Sequence, residues 1–375
     1  MPGWIANNYF IGNVGLLQSW RHSQLAINYS GGGFVSTDSS QSGGQYQQLD
    51  LSQAFEWNRV VVQFLEQFSY IPEAQFGFGG GTNLGVAGVG GAYGPVIPVM
   101  GNNFVPNQSI YAALGPRYSN ATALQITYSI SPRSSLTAVG SYGLLSFTDP
   151  GNIDNRMTTA SLGYNYLLSR EGTIGVVYRF SAFQYPGEPQ AYGSHVVAFA
   201  YSRKITGRLA LQFTAGPQII EYRVPVAGQS TNYGANATAS LTYGLRDGAL
   251  TANYLHGLTG GSGAYTGSTS DQVTFGFTHK LGRVWNGETS LGYSHNAAIA
   301  NSATSGLPTY NNWYVGGGVN RPLGPSMNFA VTYTANIAKT NQSATGCVGA
   351  ACNTNLNTQY ITLNFQWHTR PYVLE

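Results

Sequence analysis

The sequence predicts an all-β fold: a transmembrane, antiparallel, up-and-down β-barrel of about 16 strands. Three observations predict this class. Apolar and polar residues alternate with a period of two along many segments, only 8% of the 375 residues are charged, and short turns alternate with long loops. Because successive side chains of a strand point to opposite faces, the two faces of this sheet contact two different media.

The alternation is clearest in the stretch "ATALQITYSISPRSSLTAVGSYG". Leu124, Ile126 and Tyr128 share one face of the first strand, whereas Gln125 and Thr127 lie on the other. A soluble surface carries charge, since roughly a quarter of the residues of an ordinary globular chain are charged. The polar positions here hold Ser, Thr, Asn, Gln and Gly, which suits a wet interior. The apolar face is therefore expected to contact lipid.

Composition also excludes several other classes. No apolar run reaches the roughly 18 residues that a transmembrane helix needs, and the mean hydropathy of −0.12 is typical of alternating strands. The aromatic content of 13% argues against a disordered chain. The net charge of +3 comes without a basic run, so nucleic acid is not an expected partner.

The number of turns and loops in the sequence predicts the number of strands. Seven short turns, each with Arg or Lys, alternate with eight longer polar segments, and together they separate sixteen strands. The expected division of the chain is an N-terminal segment over 1–22, a barrel over 23–368 and a C-terminal tail over 369–375. The short turns lie at 58–59, 132–133, 170–172, 204–208, 246–248, 281–283 and 321–325.

The last predicted strand, "TQYITLNFQWH", resembles the closing strand of bacterial outer-membrane β-barrel proteins. Ile361, Leu363, Phe365 and Trp367 match the apolar and aromatic positions of that pattern. The segment "GPRYSNATALQITYSISPRSSLTAVGSYGLLSF" is similar to the same broad family. This resemblance implies a location in the bacterial outer membrane, with short periplasmic turns, a periplasmic N-terminal segment and long extracellular loops. It implies membrane lipid and the barrel assembly machinery as partners.

The inner face of the predicted barrel is mainly neutral and hydrogen-bonding, which favours a channel with weak discrimination between ions. We expect a porin-like channel for passive diffusion of small polar or uncharged solutes. An export conduit for a secreted polysaccharide and a structural or adhesive surface barrel are the two alternatives, and a homo-oligomer is compatible with each. The residues expected to line the lumen are Asp50, Glu56, Gln125, Thr127, Arg179, Thr332 and Asn364.

Two long loops carry further expectations. The longest, over about 71–120, contains an apolar stretch, and we expect it to fold inward as a constriction that includes Gly77, Gly90, Pro95 and Pro98. A cap over the rim and a contact patch for a partner are the alternatives. In the last long loop, Cys347 and Cys352 are expected to form a disulfide, with two free thiols as the alternative.

No motif predicts an enzyme, a metal site or a cofactor. The six histidines have no metal-ligand spacing and are expected to be structural or pore-lining, and the Gly-rich loop lacks a phosphate-binding motif. One alternative is a hydrolase constellation near the rim, because such sites are recognised by geometry and not by order. It would combine His295 with Ser294 or Ser302 and with Asp149, Asp154 or Asp271.

Overall fold

The computed structural model describes residues 7–37, 43–71, 116–148, 150, 152–226, 228–261, 266–299, 309–324, 326–340 and 355–367. Within these ranges all regular structure is β, and there is no helix long and apolar enough to cross a membrane. The strands are β1 Asn7–Ser19, β2 Ser23–Ser36, β3 Gly43–Glu56, β4 Val60–Ile71, β5 Arg117–Ser131, β6 Ser134–Phe147, β7 Asn155–Ser169, β8 Gly172–Gln184, β9 Ala191–Lys204, β10 Leu209–Val226, β11 Gln229–Gly244, β12 Gly248–Thr259, β13 Ser268–Leu281, β14 Trp285–Ala298, β15 Thr309–Pro322, β16 Met327–Thr340 and β17 Asn355–Trp367.

The strands form one antiparallel meander. Each strand pairs with its neighbours in sequence, from β1 with β2 through β9 with β10 to β16 with β17. The all-β, antiparallel, up-and-down architecture predicted from sequence is therefore confirmed. In the described part of the chain no ladder joins β1 to β17. On the outward faces of these two strands Phe10 is 73% and Leu363 64% exposed, compared with 50% for Phe275 in the middle of the sheet.

The described residues contain seventeen strands, one more than the predicted sixteen, because β1 occupies residues assigned to the N-terminal segment 1–22. β1 joins β2 through a tight turn in which the Trp20 amide donates to the Ser23 carbonyl at 2.7 Å. The sequence conceals this strand because Ile11 and Leu17 put apolar side chains on its otherwise polar face. As a result Asn7 lies at the long-loop end of the sheet, and not at the short-turn end.

All seven predicted short turns connect consecutive strands. One of the eight longer polar segments predicted from sequence, over 224–234, is instead largely strand: β10 and β11 extend to 18 and 16 residues, and Val226 pairs with Gln229. Gly228 has a φ of 79°, a left-handed conformation that glycine adopts without steric cost, and this allows the chain to reverse there. The hairpin of β10 and β11 is therefore the longest in the described sheet.

The two faces of the sheet have the polarity of a membrane barrel. Large apolar side chains such as Leu162 and Phe275 stand exposed on the outer face, whereas the polar side chains of Thr137, Ser294 and Asn312 are fully buried on the inner face. A soluble protein has the opposite arrangement, so the outer face is a lipid-facing surface. Exposed outward aromatic rings lie near both ends of the strands: Trp57, Tyr128, Tyr166 and Tyr243 near short turns, and Tyr142, Tyr178, Tyr254 and Tyr333 towards the loops.

Candidate functional site: the inner face and the recess beside Arg179

Parity within each strand places all seven predicted lumen residues on the inner face. Asp50 and Glu56 share their face with buried Ser52 and Ala54, and on β5 the inner face is marked by buried Ala123. The same rule holds along β8, β16 and β17. The residues placed inward in this way are Asp50, Glu56, Gln125, Thr127, Arg179, Thr332 and Asn364.

Asp50 is held in a network of amide donors on the wall formed by β3 and β4. Gln48 and Gln67 each donate a side-chain N–H to one of its carboxylate oxygens, both at 2.9 Å. Tyr46 in turn donates its hydroxyl proton to Gln48 at 2.5 Å. These two donors hold the Asp50 side chain in a fixed position on the inner face of the sheet.

A recess of about 80 Å³ opens on the inner face between β6 and β12. Hydroxyl and amide groups form much of its wall, and they bond to one another: Gln218 donates to Ser194 at 2.7 Å, and the Thr159 and Ser181 hydroxyls lie 3.2 Å apart. Apolar side chains form the remainder. The lining residues are Ser141, Met157, Thr159, Arg179, Ser181, Phe183, Ser194, Val196, Gln218, Asn236, Thr238, Leu255, Gly257, Leu258, Thr259 and Gly260.

Among the described residues that line the recess, Arg179 is the only charged one. Within the described residues no ion pair joins it to a carboxylate. The described inner face has carboxylates on β3, at Asp50 and Glu56, and on β14, at Glu288, which lie five and six strands from β8. On β7, Ser161 pairs directly with Arg179. Ser161 is 6% exposed, and its hydroxyl has no hydrogen-bond partner.

An aromatic cluster closes the loop side of the recess. Tyr192 packs edge-on against both Tyr185 and Tyr222, with ring centroids 5.9 and 5.6 Å apart. Burial raises the pKa of Tyr185 well above its usual value of 10.0, and the nearby Tyr192 raises it further. The hydroxyl of Tyr185 has no hydrogen-bond partner, so the phenol is held in its neutral form. The whole cluster comprises Phe183, Tyr185, Tyr192, Ile220, Tyr222 and Ile299.

The described ends of two loops, at Gly260 and Ile299, contact the recess and this cluster. Asn155, at the start of β7, donates its side-chain N–H to the carbonyl of Gly260 at 2.8 Å, across 105 positions of sequence. Ile299, which follows β14, packs among the aromatic rings of β8, β9 and β10. The loop ends after β12 and β14 therefore narrow this side of the lumen.

The predicted constriction residues Gly77, Gly90, Pro95 and Pro98 lie outside the described residues. The predicted disulfide between Cys347 and Cys352 does so as well. Both therefore stay predictions. The inward contacts that the structure does describe come from loop ends that the sequence did not single out.

The four histidines that lie within described strands are on the outer face, and not on the pore wall that was one of their expected locations; these are His195, His256, His279 and His295. His256 Nδ1 lies 2.7 Å from the Asp271 carboxylate, which also accepts the Tyr254 hydroxyl at 3.0 Å. His295 Nδ1 lies 2.8 Å from the Asn311 side-chain oxygen on the next strand. Because these pairs lie just beyond the outer aromatic rings, they form a polar row at the depth of lipid headgroups.

The hydrolase constellation considered from sequence does not assemble in the described residues. His295 points outward, whereas the neighbouring Ser294 is fully buried on the inner face, so the two side chains lie on opposite sides of the sheet. Asp154 accepts hydrogen bonds from Ser146 and from the Phe147 amide, far from His295. Ser302 and Asp149 lie outside the described residues. Within those residues no cluster of three or more metal-ligating side chains occurs.

Comparisons with known proteins give structural likenesses only. No protein-family profile and no curated protein matches the chain. The FrpB iron transporter from Neisseria meningitidis aligns with a TM-score of 0.48 and 10% identity, over 96% of this chain and 65% of that one. OpdQ from Pseudomonas aeruginosa aligns with a TM-score of 0.43 and 12% identity, over 96% and 92%.

A third solved structure, the ferric-catecholate import receptor Fiu from E. coli K12, aligns with a TM-score of 0.45 and 10% identity, over 98% of this chain and 67% of that one. This chain therefore spans about two thirds of the length of FrpB and of Fiu. All three TM-scores fall below 0.5.

Sequence reasoning placed Arg179 on the lumen wall but missed the recess around it. The residues that line the recess with Arg179 come from β6 to β12 and from the loop end at Gly260, which are brought together only by the curvature of the sheet. One signal was available: Arg179 is a charged residue in the middle of a strand, away from the turns where most arginines of this chain lie.

Proposed function

We propose that the chain is a bacterial outer-membrane channel for passive diffusion of small polar or uncharged solutes. The observation that supports this most directly is the polarity of the wall, with exposed apolar side chains outside and mainly neutral hydrogen-bonding side chains inside. Such a wall separates lipid from water. Seventeen strands are enough to enclose an aqueous lumen.

The exposed outward side chains of β17 fit recognition by the barrel assembly machinery. Ile361, Leu363, Phe365 and Trp367 are between 62% and 68% exposed, and they form an apolar row along one face of the strand. No catalytic residue is needed for diffusion. The inner wall supplies hydrogen bonds to a hydrated solute, and the apolar outer wall supplies insertion into lipid.

Planar-bilayer recording of the purified protein tests the proposal. We expect stepwise conductance with weak discrimination between potassium and chloride, because fixed charges on the described inner face are few and are screened within about 8 to 10 Å at physiological salt. Vesicles that contain the protein should swell in an isotonic solution of a small sugar. Absence of both conductance and swelling from correctly folded protein would contradict the channel and would favour an adhesive or structural barrel.

A further inference from the structure

We propose that the recess beside Arg179 binds the carboxylate group of a small organic acid within the lumen. This inference rests on the proposed channel function, and it gives that channel a specific binding site. The supporting observations are a guanidinium group that forms no ion pair with a described carboxylate, hydroxyl groups that line the same recess, and a recess of matching size and polarity.

The guanidinium of Arg179 is the first element of the site. A charge removed from bulk water is costly unless an opposite charge accompanies it, and no described carboxylate forms an ion pair with Arg179. The acidic residues of the described inner face lie on β3 and β14, several strands away. An anionic solute that enters the recess would supply the counter-charge.

Neutral donors form the second element. Thr159, Ser181 and Ser194 line the recess together with Arg179, whereas Ser161, its cross-strand neighbour on β7, does not. Ser181 lies two positions along β8 on the same inner face, and its hydroxyl already contacts that of Thr159. A carboxylate is a good acceptor for this set, because a guanidinium presents two parallel N–H groups and a hydroxyl can donate to the remaining lone pairs.

The shape and polarity of the recess select the remainder of the ligand. Met157, Phe183, Val196 and Leu258 form an apolar side next to the polar one. The volume of about 80 Å³ admits a carboxylate with a short hydrocarbon chain, and excludes a large solute. A short-chain monocarboxylate therefore fits better than a strongly hydrated ion, which would leave the apolar side of the recess in contact with water.

The test measures equilibrium binding of butyrate to the detergent-solubilised full chain by titration calorimetry, with butyramide as a neutral ligand of the same shape. We expect saturable butyrate binding and roughly tenfold weaker butyramide binding. Arg179→Gln should weaken butyrate binding by about tenfold or more, and Arg179→Lys should weaken it less because the charge is retained. Arg203→Gln is the matched control, since Arg203 lies on the outer face of β9, and it should bind butyrate as the wild type does.

Thermal unfolding provides a second readout that separates loss of the site from loss of the fold. Butyrate should raise the melting temperature of the wild type and of Arg203→Gln but not that of Arg179→Gln. Equal binding by wild type and Arg179→Gln, or no butyrate binding by the wild type, would overturn the proposal. Because this assay needs no bilayer, conductance without butyrate binding refutes the carboxylate site alone, whereas butyrate binding without conductance supports the site and refutes the diffusion channel.

Discussion

At the scale of single residues, the inner wall contains polar groups that are buried without partners. The Tyr185 hydroxyl is the clearest case, because the residue is 3% exposed and its oxygen has no hydrogen-bond partner. A buried, unpaired polar group lowers the free energy of unfolding by about 1 to 3 kcal/mol relative to a satisfied one. The ring of Tyr185 therefore stabilises the aromatic cluster, whereas its unpaired hydroxyl destabilises it.

Replacing Tyr185 with Phe should keep the ring and raise the free energy of unfolding by up to about 1 kcal/mol. The substitution should also change how the free energy of unfolding depends on pH. The pKa of folded Tyr185 is raised above 10.0, so the unfolded chain loses this proton first and stability falls as pH rises above that value.

Urea unfolding of the vesicle-inserted protein at about pH 8 and about pH 11 measures both effects. The wild type should lose more stability between these pH values than Tyr185→Phe does. Tyr243→Phe, at an exposed outer position, is the control and should follow the wild type. An identical pH response in wild type and Tyr185→Phe would show that Tyr185 ionises freely in the folded protein.

At the scale of elements, close approach of neighbouring backbones controls the β9–β10 contact. A Cβ atom added at Gly216 would lie 1.9 Å from the Val197 carbonyl oxygen and 2.7 Å from the Ala198 Cα, both on β9. Pro217 follows directly and has no amide proton to donate to the ladder. The paired positions stop at Ala215 and resume at Gln218, so this ladder is locally irregular.

Gly216→Ala should therefore lower the free energy of unfolding by about 1 to 3 kcal/mol, because β9 and β10 must separate to admit the methyl group. Gly140→Ala is the matched control, since a Cβ there meets nothing within 4 Å. That control should be neutral or slightly stabilising, because alanine reduces the freedom of the unfolded chain. Urea unfolding of both variants provides the comparison, and equal stability would indicate that the ladder widens without cost.

Some elements could be predicted from sequence, and others could not. β5 and β13 could be predicted, because apolar and polar residues alternate regularly along each strand and each strand ends at a charged turn. β1 could not, since Ile11 and Leu17 weaken its alternation. The recess could not either, because the contact between Asn155 and Gly260 depends on the curvature of the whole sheet and leaves no local pattern.

At the scale of the whole molecule, the sheet separates two media, and each residue's side of the sheet sets which substitutions it tolerates. Phe275 and Thr274 are neighbours on β13 and occupy the same depth, but Phe275 is 50% exposed on the outer face and Thr274 faces the lumen. They differ only in the face of the sheet to which their side chains point, because side chains alternate along a strand. Adjacent positions therefore provide a direct test of which face contacts lipid.

Phe275→Arg should lower the free energy of unfolding in a bilayer by about 2 to 4 kcal/mol, because it places a charge in hydrocarbon. Thr274→Arg should lower the free energy of unfolding much less, because the new side chain reaches water. The substitution removes only the weak 3.3 Å hydrogen bond that Asn253 donates to Thr274. Reversible unfolding from lipid vesicles measures the difference. Equal losses for the two variants would contradict the assignment of the faces.

The odd number of strands also determines the sidedness of the chain. Because β1 and β17 run in the same direction, Asn7 and Trp367 lie at opposite ends of the sheet, Asn7 with the long loops and Trp367 with the short turns. A chain that crosses a bilayer an odd number of times has its two described ends in different compartments. In the proposed orientation, a label beside Asn7 would be reached from the cell exterior, and a label beside Trp367 only from the periplasm.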